Sequence, residues 1–433
     1  MSILAPFSPT SDRPWDRAAA AHLLRRAGFA PSPAEMARVL DEGPRRAAER
    51  LVNDAAESSL HDELDAVGSA LAVRDDIAAL RGWWLLRMCR TSRPLHARLA
   101  LMWHNHFATS NAKVRSAAFM LQQLRTIERL GAGPFDQLLL GMARDPAMLV
   151  WLDSGANVKG RANENFAREL FELFSLAPGN YSEQDIREAA RAFTGWQQRN
   201  GRFYFAKLDH DAGEKVVLGQ RGRFAGEDIV QIACAQAACA RFLALRLLRE
   251  FVTPEPEAAL VDALAGELSN NRLHIGQALI ILLSSSAMFD PAHRLRRIKS
   301  PVELAVGMVR SLELKATAEG LASLTAQAGQ RLFEPPSVKG WDGHRAWLNS
   351  AAMLVRMNGA TRAVEGALPA DAIVASGDLR DAAAVRSYCL NVALGGEDHP
   401  ALAAQLREID GRPAEVLRRA LLVLLTSPEY QLA

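Results

Sequence analysis

The sequence predicts an all-α, multi-helical protein with one small β-hairpin insertion, and three observations carry that expectation. Helix starts recur: Ser32-Pro33-Ala34-Glu35 and Ser300-Pro301-Val302-Glu303 each set a capping hydroxyl, a proline at the first helical position and a glutamate three residues after the cap. Ser182-Glu183-Gln184-Asp185 is a similar start. The stretches between such marks are rich in alanine and leucine, which favour helix intrinsically. The pattern breaks at Asn200-Gly201, a two-residue hairpin signal followed by the aromatic run Arg202-Phe203-Tyr204-Phe205.

Taken in chain order, the first apolar helix stops at Gly28. A helix begins near Pro94, where Leu95, Leu99, Met102 and His106 fall on one stripe if it continues past Trp103. From about Asn163 a helix buries Phe166, Leu170, Leu173 and Phe174 and stacks Glu164, Arg168 and Glu172 on another face. The Ala177–Tyr181 turn folds the next helix, from Ser182, back antiparallel with Ile186 and Phe193 in the shared core. Gly195 stops that helix. A second strand near Lys215-Val216-Val217-Leu218 pairs nearby and leaves Asp209-His210-Asp211-Ala212-Gly213 as a loop. Residues 333–344, with two prolines and two glycines, form a long loop carrying Trp341, which suits docking against a cleft, a plain packing loop being the more common alternative.

Composition narrows the function classes. The chain has 433 residues, 49% hydrophobic and 23% charged, enough for a large core. Its formal charge of +2, without a long basic run, gives no general affinity for nucleic acid. The densest basic cluster, His293-Arg294-Leu295-Arg296-Arg297, reads as a solvated helix approach. Four cysteines without zinc-ligand spacing read as free thiols. The N-terminal residues show no signal peptide, no stretch reads as a membrane span, and cytoplasmic residence is the default expectation.

The candidate chemistry is concentrated between Trp103 and Trp196. His104 and His106 share a face, as a metal-binding pair must, only if the chain leaves the helix near Trp103; inside a helix they point apart. Glu169 sits at the margin of an apolar stripe, where desolvation raises a carboxyl pKa, with Glu172 second. Asp209-His210-Asp211 offers oxygen and imidazole ligands in one loop. The candidate catalytic residues are therefore Glu169, His106 and Arg168. The candidate ligands of a divalent metal ion are His104, His106, Glu169, His210 and Asp211. Gly-x-Ser-x-Gly, a phosphate-binding glycine loop and His-Glu-x-x-His are all missing.

Trp103-His104-Asn105-His106-Phe107, Asn163-Glu164-Asn165-Phe166-Ala167-Arg168-Glu169-Leu170, Phe193-Thr194-Gly195-Trp196 and His210-Asp211 together carry a resemblance. The chain resembles the bacterial family catalogued as domain of unknown function 1800, over nearly its whole length from Trp15 to Glu429. The resemblance implies a single helical domain over residues 1–433, with a motif-rich core at 103–220 and its hairpin near 197–218. It also implies a possible partner, a sulfatase-like protein of the domain of unknown function 1501 type, and many exported relatives. Two functions follow as expectations: a metal-assisted hydrolase acting on a polymer or conjugate, or a non-catalytic helical partner of the sulfatase-like protein.

Overall fold

The computed structural model describes residues 3–54, 58–397 and 399–433. They form a succession of α-helices from Arg17–Ala27 to Pro413–Thr426, interrupted by two small antiparallel ribbons. All three expected capping boxes form, at Ser32 with Glu35, Ser182 with Asp185, and Ser300 with Glu303. Each satisfies amides that the first helical turn leaves without partners. Gly28 caps the first helix, its amide donating to the Leu24 carbonyl.

The helix Pro94–His106 runs through the middle of the main core. It is buried on nearly every side, Arg98 and His104 included, so the expected single apolar stripe understates it. A helix that is covered all round belongs to the interior of a large protein. Because it stays helical through His106, His104 and His106 point apart, which corrects the His-x-His chelating pair.

The Asn165–Glu169 helix passes into a π-helical segment, Leu170–Ser175, where Ser175 Oγ donates to the Leu170 carbonyl at 2.6 Å. The wider turn brings Phe171 into the core beside Phe166, Leu170 and Phe174 and leaves Leu173 half-buried. The helix Glu183–Ala192 folds back on it as expected, with Ile186 buried and the rings of Phe166 and Phe193 edge-to-face at 4.8 Å.

The β region holds two hairpins where one was expected. Strand β1 (Trp196–Arg199) pairs with β2 (Arg202–Phe205) around Asn200-Gly201, and β3 (Lys215–Val217) pairs with β4 (Gln220–Gly222). Left-handed residues Leu218 and Gly219, φ 48° and 80°, close the second turn locally, so β3 does not pair with β2. Gly195, φ +83°, turns the chain into β1, and an added Cβ would strike the Ala206 carbonyl.

A second apolar cluster, built on Leu417, Leu421 and Leu424, takes Leu304 and Met308 from the helix Pro301–Ser311. No single helix among the described residues is long and apolar enough to cross a membrane.

Candidate functional site

The polar residues of the Trp103–Phe107 motif tether three segments, His104 and Asn105 both holding the loop 333–344. Trp103 Nε1 donates to the Gly131 carbonyl at 2.9 Å. His104 Nε2 accepts from the Phe333 amide at 3.1 Å, and burial alone pushes this imidazole down to about 3. Asn105 holds Trp341 from both sides, Oδ1 accepting its amide at 2.7 Å and Nδ2 donating to its carbonyl at 3.4 Å. Gly340, φ +81°, fits against Asn105 because it has no Cβ to collide with it. His106 Nε2 donates to the Phe174 carbonyl at 3.1 Å, one residue from the end of the π-helical segment.

The other expected site residues are dispersed. His210 Nδ1 donates to the Thr194 carbonyl at 3.0 Å, holding the loop after β2 against the end of the Glu183–Ala192 helix. Asp211 accepts from Arg191 Nε at 2.8 Å, and that bond pulls its carboxyl down to about 2. Arg168 pairs with Glu164 at 3.0 Å and with Glu183 at 2.9 Å, an ion-pair link between neighbouring helices. Glu169 is the one expected carboxylate with a raised pKa; burial pushes it up, the charge of Glu172 adds to that, and Lys339 and Arg168 pull it back. Among the described residues no group of three or more histidines, cysteines, aspartates or glutamates is placed to hold a metal ion. The donor set His104, His106, Glu169, His210 and Asp211 does not fit such an ion.

The tethers build a cleft of about 330 Å³ between the helices Pro94–His106 and Ala237–Phe251, the start of Pro301–Ser311 and the loop 341–347. That is the lower end of the size range of small-molecule sites. Of the expected residues, His106 and Trp341 line it. Glu169, His104, His210 and Asp211 do not.

Sequence reasoning missed most of the cleft's charge. Glu250 and Glu303 share the fully buried Arg98, whose Nε meets Glu250 and whose Nη1 meets Glu303; Arg297 also meets Glu303. Burial pulls the Glu250 carboxyl upward, but Arg98, Arg297 and Arg26 outweigh it and hold the group below its ordinary value. Arg297 closes the basic cluster expected to be a solvated helix approach, yet it is buried against Glu303, and the chain around it is not helical. The amide of Val302 is taken by Gln330 Oε1 at 3.0 Å, so the start of this helix has no spare donor there.

Two cations on the helix that carries Glu250 form no ion pair among the described residues. Arg246 and Arg249 have no ion-pair or hydrogen-bond partner among the described residues; Arg246 lies over the Phe242 ring at 5.3 Å. Burial and the nearby Arg249 push the Arg246 guanidinium below its ordinary value. Trp341 and Trp347 supply the apolar wall. The motif that could have pointed here is Arg246-Leu247-Leu248-Arg249-Glu250, three charged residues within five positions of a largely apolar helix.

A family model described as protein of unknown function (DUF1800) matches residues 22–432. No curated protein and no solved structure matches the chain.

Proposed function

The chain belongs to the DUF1800 family, whose description assigns no reaction, and from the cleft itself we propose that it binds an acidic small molecule or the acidic end of a larger conjugate. The observation that carries this reading is the pairing pattern. The carboxylates Glu250 and Glu303 are consumed by Arg98 and Arg297, whereas Arg246 and Arg249 face the same space without an acid. Arg246 is half-buried, where a cation without a counter-charge is costly, and an anionic ligand repays that cost; Arg249 is exposed beside it and adds to the positive field.

Hydrolysis of a bound conjugate, the expected reaction, has less support. Its metal ligands are scattered, and Arg168 and His106 serve in fold-holding contacts. The alternative, a helical partner of a sulfatase-like protein of the domain of unknown function 1501 type, is favoured by one specific observation. Nearly every motif residue is spent on joining segments, as in a rigid scaffold. Size-exclusion chromatography of the two co-expressed proteins tests that reading by co-elution.

The binding proposal is tested by titrating the intrinsic tryptophan fluorescence, with Trp341 and Trp347 as reporters, against small carboxylates and phosphate monoesters alongside neutral analogues. Saturable changes are expected with acids only. Arg246→Ala/Arg249→Ala should weaken the tightest acid at least tenfold, about 1.4 kcal/mol. Binding that ignores this double substitution, or no binding by any acid, overturns the proposal.

A further inference from the structure

The outward face of the β1–β2 ribbon gathers charge that the fold does not use. Residues alternate across a strand, so Gln197 and Arg199 of β1 share a face with Arg202 and Tyr204 of β2, opposite the face on which Trp196 enters the core. Arg199 lies directly across from Arg202, and its guanidinium covers the Tyr204 ring at 3.8 Å. Like charges set opposite each other on a ribbon are unfavourable.

The same face continues into the turn after β2. Gln197 Nε2 donates to Asp209 Oδ2 at 3.0 Å, which sets the 3₁₀ turn Lys207–Asp209 on the Tyr204 side of the ribbon. The Lys159 amide donates to the Asp209 carbonyl at 2.7 Å, so the tight loop 158–161, with Gly160 at φ +80°, abuts that turn. Lys159, Arg161, Arg199, Arg202 and Lys207 are all exposed, and none forms an ion pair among the described residues. The acids around them are mostly taken: Asp211 by Arg191 at 2.8 Å, Asp153 by Lys113 at 2.8 Å and Glu164 by Arg168 at 3.0 Å. Asp209 is left as the counter-charge to these five cations.

Apolar surface lies among the charges. Tyr204, Phe205 and Leu208 are exposed within five residues, and Leu208, in the middle of the 3₁₀ turn, is 95% exposed. Phe205 packs edge-on against His210 at 5.2 Å, at the same end of the ribbon. Apolar side chains clustered in water and rimmed by charge mark a contact surface.

Charge and apolarity together select the partner. The positive surplus requires an anionic one. A nucleic acid or an acidic polysaccharide would satisfy the cations but gives Leu208 no apolar medium to enter. The acyl boundary of a bilayer does, and Tyr204, with its hydroxyl and stacked guanidinium, suits the headgroup level. We propose that this face docks on the surface of an anionic phospholipid bilayer, with Leu208 entering the acyl boundary and Lys159, Arg161, Arg199, Arg202 and Lys207 at the phosphates. None of these residues lines the cleft, so the proposal is independent of anion binding there.

The test is co-sedimentation of the full chain with vesicles of phosphatidylcholine alone and of equimolar phosphatidylcholine and phosphatidylglycerol. The mixed vesicles are expected to bind at least roughly tenfold tighter, and the difference should shrink as salt is raised. Leu208→Ser should weaken binding to the mixed vesicles several-fold, and Lys159→Gln/Lys207→Gln should weaken it roughly fivefold per lysine. These three positions are exposed, and a cooperative thermal transition checks that each variant is folded. Arg246→Ala/Arg249→Ala should leave vesicle binding unchanged; its loss in that variant would move the contact to the cleft and overturn the proposal. A single-stranded oligonucleotide separates lipid from anionic polymer: oligonucleotide binding tighter than binding to the mixed vesicles overturns the proposal in favour of a nucleic-acid surface. Equal binding to the two vesicle types, no binding to either, or binding to the mixed vesicles that ignores Leu208→Ser overturns it too.

Discussion

Asp145 shows how much a single buried group contributes to the behaviour of this protein. Its Oδ1 accepts from Gln123 Nε2 at 2.9 Å and from the Met148 amide at 3.1 Å, capping the helix Pro146–Trp151, while Oδ2 is buried without a partner. Burial pushes the carboxyl up to about 7. The fold therefore binds a proton that the unfolded chain has released between about pH 4 and that value. The stability from this group is complete below about pH 4 and is lost as pH rises through about 7. Asp145→Asn keeps an acceptor for the Met148 amide and removes the ionisation. The thermal midpoint of the variant, relative to the native protein, is expected to rise steadily from pH 5 to pH 8, and parallel profiles would show that Asp145 is not buried as described.

At the scale of elements, the local rules hold wherever the signal is local. Ser32, Ser182 and Ser300 cap their helices because a hydroxyl and an acid three residues on meet without help from the rest of the chain. The Leu170–Ser175 segment departs from the 3.6-residue period because its π-helical turn inserts Phe171 into the core and offers the Phe174 carbonyl to His106. Leu170, at the start of the π-helical segment, is fully buried. Leu170→Ala is expected to cost on the order of 2–5 kcal/mol in chemical denaturation. A loss below about 0.5 kcal/mol would contradict the packing between this segment and the helix Glu183–Ala192.

Across the whole molecule, buried charge and buried imidazole set the response to acid. His22, His96, His104 and His106 are all shifted below their ordinary value by burial, His96 to about 4 and His104 to about 3. For a group whose folded pKa is depressed, the unfolded chain takes up protons first, so stability is present above about pH 6.5 and is lost as pH falls toward the folded values. These rings, with His344, oppose the raised carboxyls of Asp145 and Glu169. The unfolding free energy should therefore decline from pH 6.5 to pH 4, and a flat or rising profile would refute the neutral buried state of these rings. The charged network is the other molecule-wide device, since Arg98 of the central helix joins Glu250 of one helix to Glu303 of another. Arg98→Met leaves two carboxylates facing each other, and urea denaturation is expected to show a loss of roughly 3–5 kcal/mol. A second substitution pair, Glu250→Gln with Glu303→Gln, should recover part of it.

The sequence by itself determined the helical class, the capped helix starts, the Asn200-Gly201 hairpin and the docked loop at 333–344, because each is written in neighbouring residues: periodicity, a cap, a turn dipeptide, a run of prolines and glycines. Tertiary structure alone decided which polar residues are spent and which are free. His104, His210, Asp211 and Arg168 were conspicuous in the chain and are satisfied by partners such as Phe333, Thr194, Arg191 and Glu183. Arg246 and Arg249 were inconspicuous and make no ion pair among the described residues. Motif and periodicity report what a residue is and which way it faces on its own element. Whether its charge or lone pair is already satisfied depends on groups on other elements, 16 positions away for His210 and Thr194 and 152 for Arg98 and Glu250, and only the packed chain brings those together.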